Sequence, residues 1–150
     1  MTLNDIAWSF SEETYPNKDD FNRAVTEYQQ AIYEDASDWK PDEIVFEAPE
    51  VQIQYMCWVK GSEDLLENEE LIDGDEEVFE DEPEDDHYQV EIVATLKADN
   101  GKNFSALEFL MKTHNQQSNK YLGDHTFFEG IDIDPEIDGG VPLCIINCGS

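Results

Sequence analysis

Between Lys60 and Lys97 the chain carries no Lys or Arg, and inside that interval lies the run LIDGDEEVFEDEPEDD, Leu71 to Asp86, in which ten of sixteen residues are Asp or Glu. A run of like charge cannot be packed into a core, because each ionised carboxylate would need a buried partner. It must lie outside whatever the rest of the chain builds. The stretches on either side, VQIQYMCWVK and HYQVEIVATLK, alternate or are rich in β-branched residues and read as long strands. The chain is therefore constrained to a sheet in which two long strands are joined by an exposed, flexible acidic connection spanning residues 61–86.

The remaining patterning fits that frame. Ile6 to Phe10 reads as a short strand. PNKDDFNRAVTEYQQAIYEDA reads as a helix capped by Asn17, with Asp19 and Asp20 in its first turn and an apolar face made by Phe21, Ala24, Val25, Tyr28, Ala31 and Ile32. Two strands follow, around Ile44–Phe46 and from Val51 onward, with Pro49 between them. Within the acidic connection, EDLLENEELI has the composition of a short helix. NFSALEFLMKTHNQQSNKYLG reads as the second helix. Ser105 and Glu108 match the S-x-x-E capping box, Phe104 and Phe109 are placed for a hydrophobic staple, and Gly123 is the stop. HTFFEGI is a strand or tight turn, DIDPEIDGG a loop, and VPLCIINCG a buried final strand. The order β-α-β-β-β-α-β, with an additional short strand near Phe127, predicts one α+β domain over residues 1–150: a mainly antiparallel sheet with two helices packed on one face.

Charge narrows the function. Thirty-seven acidic against eight basic residues give a formal net charge of −29, well beyond the roughly 2–8 that suits a small soluble domain. Acidity spread over the whole surface would suit a high-salt cytoplasm. Here it is uneven, since THNQQSNK, Thr113 to Lys120, is nearly uncharged, and the unevenness favours a local cause. Direct nucleic-acid binding and attraction to an anionic membrane both require clustered Lys and Arg, which are absent. The expected partners are cationic: a basic protein, a polyamine or a metal ion. No segment has the apolar length of a membrane span and the N-terminus has no signal-peptide pattern, so the chain is expected in the cytoplasm. Three cysteines, Cys57, Cys144 and Cys148, make an odd number and fit reduced thiols.

No catalytic signature is present: no G-x-S-x-G, no H-E-x-x-H and no Gly-rich phosphate loop. Asp124 beside His125 does not by itself make a dyad. No cofactor is implied. DGDEEVFEDEPE, Asp73 to Glu84, places oxygen ligands at calcium-loop spacing, but its sixth position is Val78 where glycine is needed; in DIDPEIDGG, with Asp132, Asp134, Glu136 and Asp138, that position is Ile137. Cys144 and Cys148 sit about 13 Å apart along a strand at ~3.3 Å per residue, too far to share one zinc ion unless the chain turns at Asn147. His114 shares a helical face with Leu107, Leu110 and Met111, as a core or boundary residue does.

What remains is a noncatalytic binding surface. Phe79 stands among carboxylates as an apolar anchor, with Asp75, Glu76, Glu77, Glu80, Asp81, Glu82, Glu84, Asp85 and Asp86 as the charged collar that attracts a basic target. The second half of the chain has a further texture. FSALEFLMKTHNQ, then LGDHTFFEGI, then GVPLCIINCGS, together covering Phe104 to Ser150, resemble small acidic bacterial immunity proteins encoded beside toxins. The resemblance implies an antitoxin that binds a cognate effector, for example a nuclease whose phosphate site accepts carboxylates in place of phosphate, and blocks it. Two neighbouring readings stand beside it: a general nucleic-acid mimic that inhibits DNA-binding or defence proteins, and an acidic chaperone for basic clients.

Overall fold

The computed structural model describes residues 1–71, 87–123, 126–134 and 141–149. It is an α+β fold. Six strands form the main sheet: β1 (Trp8–Ser9), β3 (Glu50–Val59), β4 (Glu69–Leu71), β5 (Tyr88–Lys97), β7 (Phe127–Asp134) and β8 (Leu143–Gly149). Their spatial order is β1-β7-β8-β3-β5-β4. All neighbours are antiparallel except β3 and β8, which run parallel. A second, two-stranded ribbon pairs β2 (Ile44–Phe46) with β6 (Phe104–Ser105). The helices are α1 (Lys18–Tyr33) and α2 (Ala106–Gln117).

The period-two pattern decides which face of the sheet is covered. Val51, Ile53, Tyr55, Cys57 and Val59 of β3 and Val90, Ile92, Ala94 and Leu96 of β5 are buried, and their odd-and-even neighbours are not. Phe21 and Val25 of α1 and Phe109 and Leu110 of α2 join the same core cluster. Both helices therefore pack on one face. Burying each of these large side chains contributes roughly 1.5–3 kcal/mol.

Helix boundaries follow the caps. The Asn17 side chain accepts the Asp20 N–H at 2.8 Å and starts α1. Ser105 accepts the Glu108 N–H at 3.1 Å and starts α2. Phe104 and Phe109 meet edge to face at 6.4 Å, which is the expected staple. The reciprocal half of the capping box is replaced: the Glu108 carboxylate accepts the Asp99 N–H at 2.8 Å and pairs with Lys112 at 2.9 Å. Replacing Ser105 by Ala should cost about 1 kcal/mol of stability in urea denaturation, with no change in the sheet's spectral signature.

Three expectations need correction. The apolar stripe of α1 outruns the sheet beneath it, so Ile32 and Tyr33 stand 53% and 55% exposed and Ala31 is exposed as well. In their place Gln29 is buried, accepting the Ala7 N–H at 2.8 Å and donating to the Ala7 carbonyl, which ties the N-terminal segment to the helix. α2 ends at Gln117, ahead of Gly123, and Gly123 instead takes a left-handed φ of +65° in the segment that follows. EDLLENEELI is not a helix: a short 3-10 turn at Ser62–Asp64 leads into strand β4. There Glu69 and Leu71 alternate into the core, and the partners described below outweigh the helical propensity of Leu and Glu.

Candidate partner-binding site

Asp75, Glu76, Glu77, Phe79, Glu80, Asp81, Glu82, Glu84, Asp85 and Asp86 lie outside the described residues, as does the whole of the first calcium-like loop, Asp73 to Glu84. The structure fixes the two ends from which their segment departs. β4 ends at Leu71, whose register partner is Ile92 of β5, and β5 begins at Tyr88. The run thus connects the outermost strand of the sheet to its neighbour.

β4 is held at this edge by a buried charge cluster. Lys120, which follows α2, reaches Glu69 at 2.9 Å, and the two side chains are 1% and 0% exposed. Glu69 also accepts the Leu66 N–H at 2.7 Å, the Gln116 side-chain N–H at 2.9 Å and the Tyr55 hydroxyl. Burial alone would raise the Glu69 carboxyl, but these donors together hold it below the usual glutamate range. Burial, with the Glu69 charge next to it, pushes the Tyr55 phenol far up, so it stays a donor. Burial likewise pushes the Cys57 thiol up to about 12 despite the nearby Lys120 ammonium.

The face of the sheet away from the helices has no described element packed on it. Register places Glu70, Val93, Gln54, Ile145 and Asp132 in one row across β4, β5, β3, β8 and β7. Thr95, Gln52, Leu143 and Asp134 form the adjacent row. On the other side Glu91 stands opposite Met56. The centre of this face is apolar and amide-bearing, and its margins are carboxylates. Within the strands of the main sheet the one Lys or Arg is Lys97, at the end of β5 opposite Glu50.

Near its middle the face opens into a slot. β3 and β8 pair only over Gln52–Gln54 and Leu143–Ile145. Further along, Tyr121 takes the place beside β3, its carbonyl accepting the Trp58 N–H at 2.7 Å. Between these two closures lies a cleft of about 580 Å³, within the size range of ligand pockets. Glu91, Glu129 and Asp132 line it with Gln54, Met56, Ile145, Asn147 and Cys148, and Gln117 of α2 reaches it from the helix side. Two of the carboxylates are oriented by amides: Gln54 donates to Glu91 at 3.0 Å and Asn147 to Asp132 at 2.9 Å. Glu129 lies against Gly149, where a Cβ would collide with its carboxylate. Burial first, and then the Glu129 charge, push the Cys148 thiol up to about 12, so it is protonated at neutral pH.

Of these carboxylates the sequence pattern singles out only Asp132, in a calcium-like loop, though a signal for the strand face existed. Glu91 alternates with Val90 and Ile92 in β5, and EGIDID continues as strand where a loop was expected from Asp132 onward. Trp58 is half-buried on this open face, whereas Trp8 and Trp39 are in the core, and Phe127 is exposed. Among the described residues no group of three His, Cys, Asp or Glu side chains is arranged to hold a metal ion. Among them, too, no helix is long and apolar enough to cross a membrane. No family model, no curated protein and no solved structure matches this chain.

Proposed function

We propose that this chain is a noncatalytic binding protein that inhibits a basic protein partner, an immunity-type protein neutralising a toxin such as a nuclease. One observation carries the reading. The sheet face on which no described element packs has carboxylates at its margins, apolar and amide side chains at its centre and Lys97 as the sole cation within its strands. The ten-carboxylate run departs from the edge of that same sheet. Other cations are engaged elsewhere: Lys18 and Lys112 with Asp99 at 3.1 and 2.9 Å, and Lys120 in the buried cluster. A polar rim around a less polar centre is the anatomy of a protein interface, and its sign selects a cationic partner.

The division of labour is kinetic. Charge in the run accelerates encounter, and apolar contacts, with Phe79 among them, govern dissociation. Changing Asp75, Glu76, Glu77, Glu80, Asp81, Glu82, Glu84, Asp85 and Asp86 together to Asn or Gln should slow association with the captured partner by about 10–10³-fold while leaving dissociation nearly unchanged. Phe79→Ala should do the reverse. A single Glu→Ala in the run should change little. The partner is obtained by affinity capture at low salt and again at about 0.5 M salt, where long-range attraction is screened. Neutralisation of these nine carboxylates with no effect on affinity or inhibition would sink the reading. Capture of many basic proteins that wash off together would favour the general nucleic-acid mimic.

A further inference from the structure

We infer that the slot between β3 and β8 receives one arginine side chain of the basic partner. This rests on the proposed function and adds to it the place and the chemistry of recognition.

The slot has three properties that a merely solvated acidic surface lacks. It is concave, formed where the parallel pairing of β3 and β8 stops at Ile145 and closed again by Tyr121. Its carboxylates come from two sides: Glu91 from β5, Glu129 and Asp132 from β7. Its rim also presents backbone. Gln52 donates its N–H to the Pro142 carbonyl at 2.9 Å and Trp58 its N–H to the Tyr121 carbonyl at 2.7 Å. The even-numbered residues of β3 therefore direct their backbone groups away from β5, and Met56, midway between, directs its N–H and carbonyl toward the slot.

A guanidinium suits this arrangement better than an ammonium. It carries five donors in a planar fork, so it can bond a carboxylate of one wall and a carbonyl on the rim at once. It is also the more weakly hydrated of the two cations, which matters beside Met56 and Ile145. Each amide-oriented carboxylate retains acceptor capacity, because Gln54 and Asn147 each supply one donor.

The test uses the full chain, isotope-labelled, in about 0.15 M salt. The probes are acetyl-Gly-Arg-Gly-amide, its lysine and citrulline counterparts, and decaarginine. The arginine peptide should shift the side-chain amide signals of Gln54 and Asn147 saturably. The lysine peptide should bind at least about fivefold more weakly and the citrulline peptide should not bind. Gly149→Ala leaves the net charge unchanged but displaces the Glu129 carboxylate. It should weaken the arginine peptide about tenfold while decaarginine, which reads the whole surface, changes little. Asp132→Asn is the second variant and should weaken the arginine peptide similarly. Equal binding of arginine and lysine, shifts spread over the surface, or indifference to both variants overturns the inference. If decaarginine still binds in that case, only the slot falls and the broader reading stands. If decaarginine fails to bind as well, both fall. A dimer that buries Gln54 and Asn147 without any peptide also overturns it.

Discussion

Replacing Lys120 by Met should lower the unfolding free energy by about 3–5 kcal/mol, the usual loss when one partner of a buried ion pair is removed. The Lys120 ammonium and the Glu69 carboxylate are 2.9 Å apart with almost no exposure. Without Lys120, Glu69 keeps its bonds from Leu66, Gln116 and Tyr55, but a buried charge remains with no counter-charge. The pH dependence has a definite sign. In the native protein the Glu69 carboxyl lies below its ordinary value, so its contribution is full above the unfolded-state pKa and is lost as pH falls through the folded one. Lys120→Met raises the folded-state value. The stability gap between native protein and variant should therefore be widest near about pH 7 and narrow in acid, as Glu69 takes up a proton in the variant. The double change Glu69→Gln with Lys120→Met removes both charges and keeps an acceptor for Tyr55. It should recover more than half of the loss. Urea denaturation of the three proteins measures this, and equal instability of the single and double variants would show that the loss of packing, not the unpaired charge, is responsible.

That cluster marks the limit of what one sequence discloses. Elements specified by local chemistry were legible: Asn17 and Ser105 as caps, the Phe104–Phe109 staple, and the alternation of β3 and β5. Each depends on residues a few positions apart. The Glu69–Lys120 pair does not, since nothing near either residue announces the other. EDLLENEELI was misread for the same reason. Its local preference is helical, and its Glu69–Leu71 part is a strand because Tyr55, Gln116 and Lys120 converge on Glu69 from elsewhere in the chain. The α1 stripe shows the converse: Ile32 continues the period, but no sheet lies beneath it.

The site divides along the same line. A ten-carboxylate run is visible without any structure. The slot is not, because it arises where two strands distant in sequence pair in parallel for three residues and then part. Nothing in the sequence links Glu91 with Glu129 and Asp132; only the strand order β7-β8-β3-β5 brings them to one opening. This also explains why the charge count alone could not separate a used surface from a solvated one. The count describes the chain, and recognition depends on which carboxylates share a concave, partly apolar setting.

His114 should make the fold lose stability in mild acid, against the trend of the rest of the molecule. It is 0% exposed and ringed by Trp8, Phe10, Tyr15 and Phe21. The Trp8 indole N–H donates to Nδ1 at 3.1 Å, and Nε2 lies 2.7 Å from the Glu13 carbonyl. An indole nitrogen only donates, so Nδ1 must be the acceptor and the proton sits on Nε2. The ring is neutral, and a second proton would set Nδ1–H against the Trp8 N–H. Burial lowers the imidazole below its ordinary 6.5, outweighing the Glu13 carbonyl and charge, which act the other way. Between the unfolded and folded values the unfolded chain binds the extra proton, so the contribution is full above about 6.5 and falls as pH drops toward the folded value. The loss is about 1.4 kcal/mol for each unit separating the two values. Lower pH also reduces the self-repulsion of a chain at −29, which stabilises every variant alike. The His114→Gln protein is therefore the reference: native stability minus variant stability should fall between about pH 7.5 and 5.5. Trp8→Phe removes the opposing N–H and should flatten that fall. Parallel stability profiles for the native and His114→Gln proteins would show that the imidazole does not titrate differently in the core, and the assigned tautomer would lose its energetic consequence.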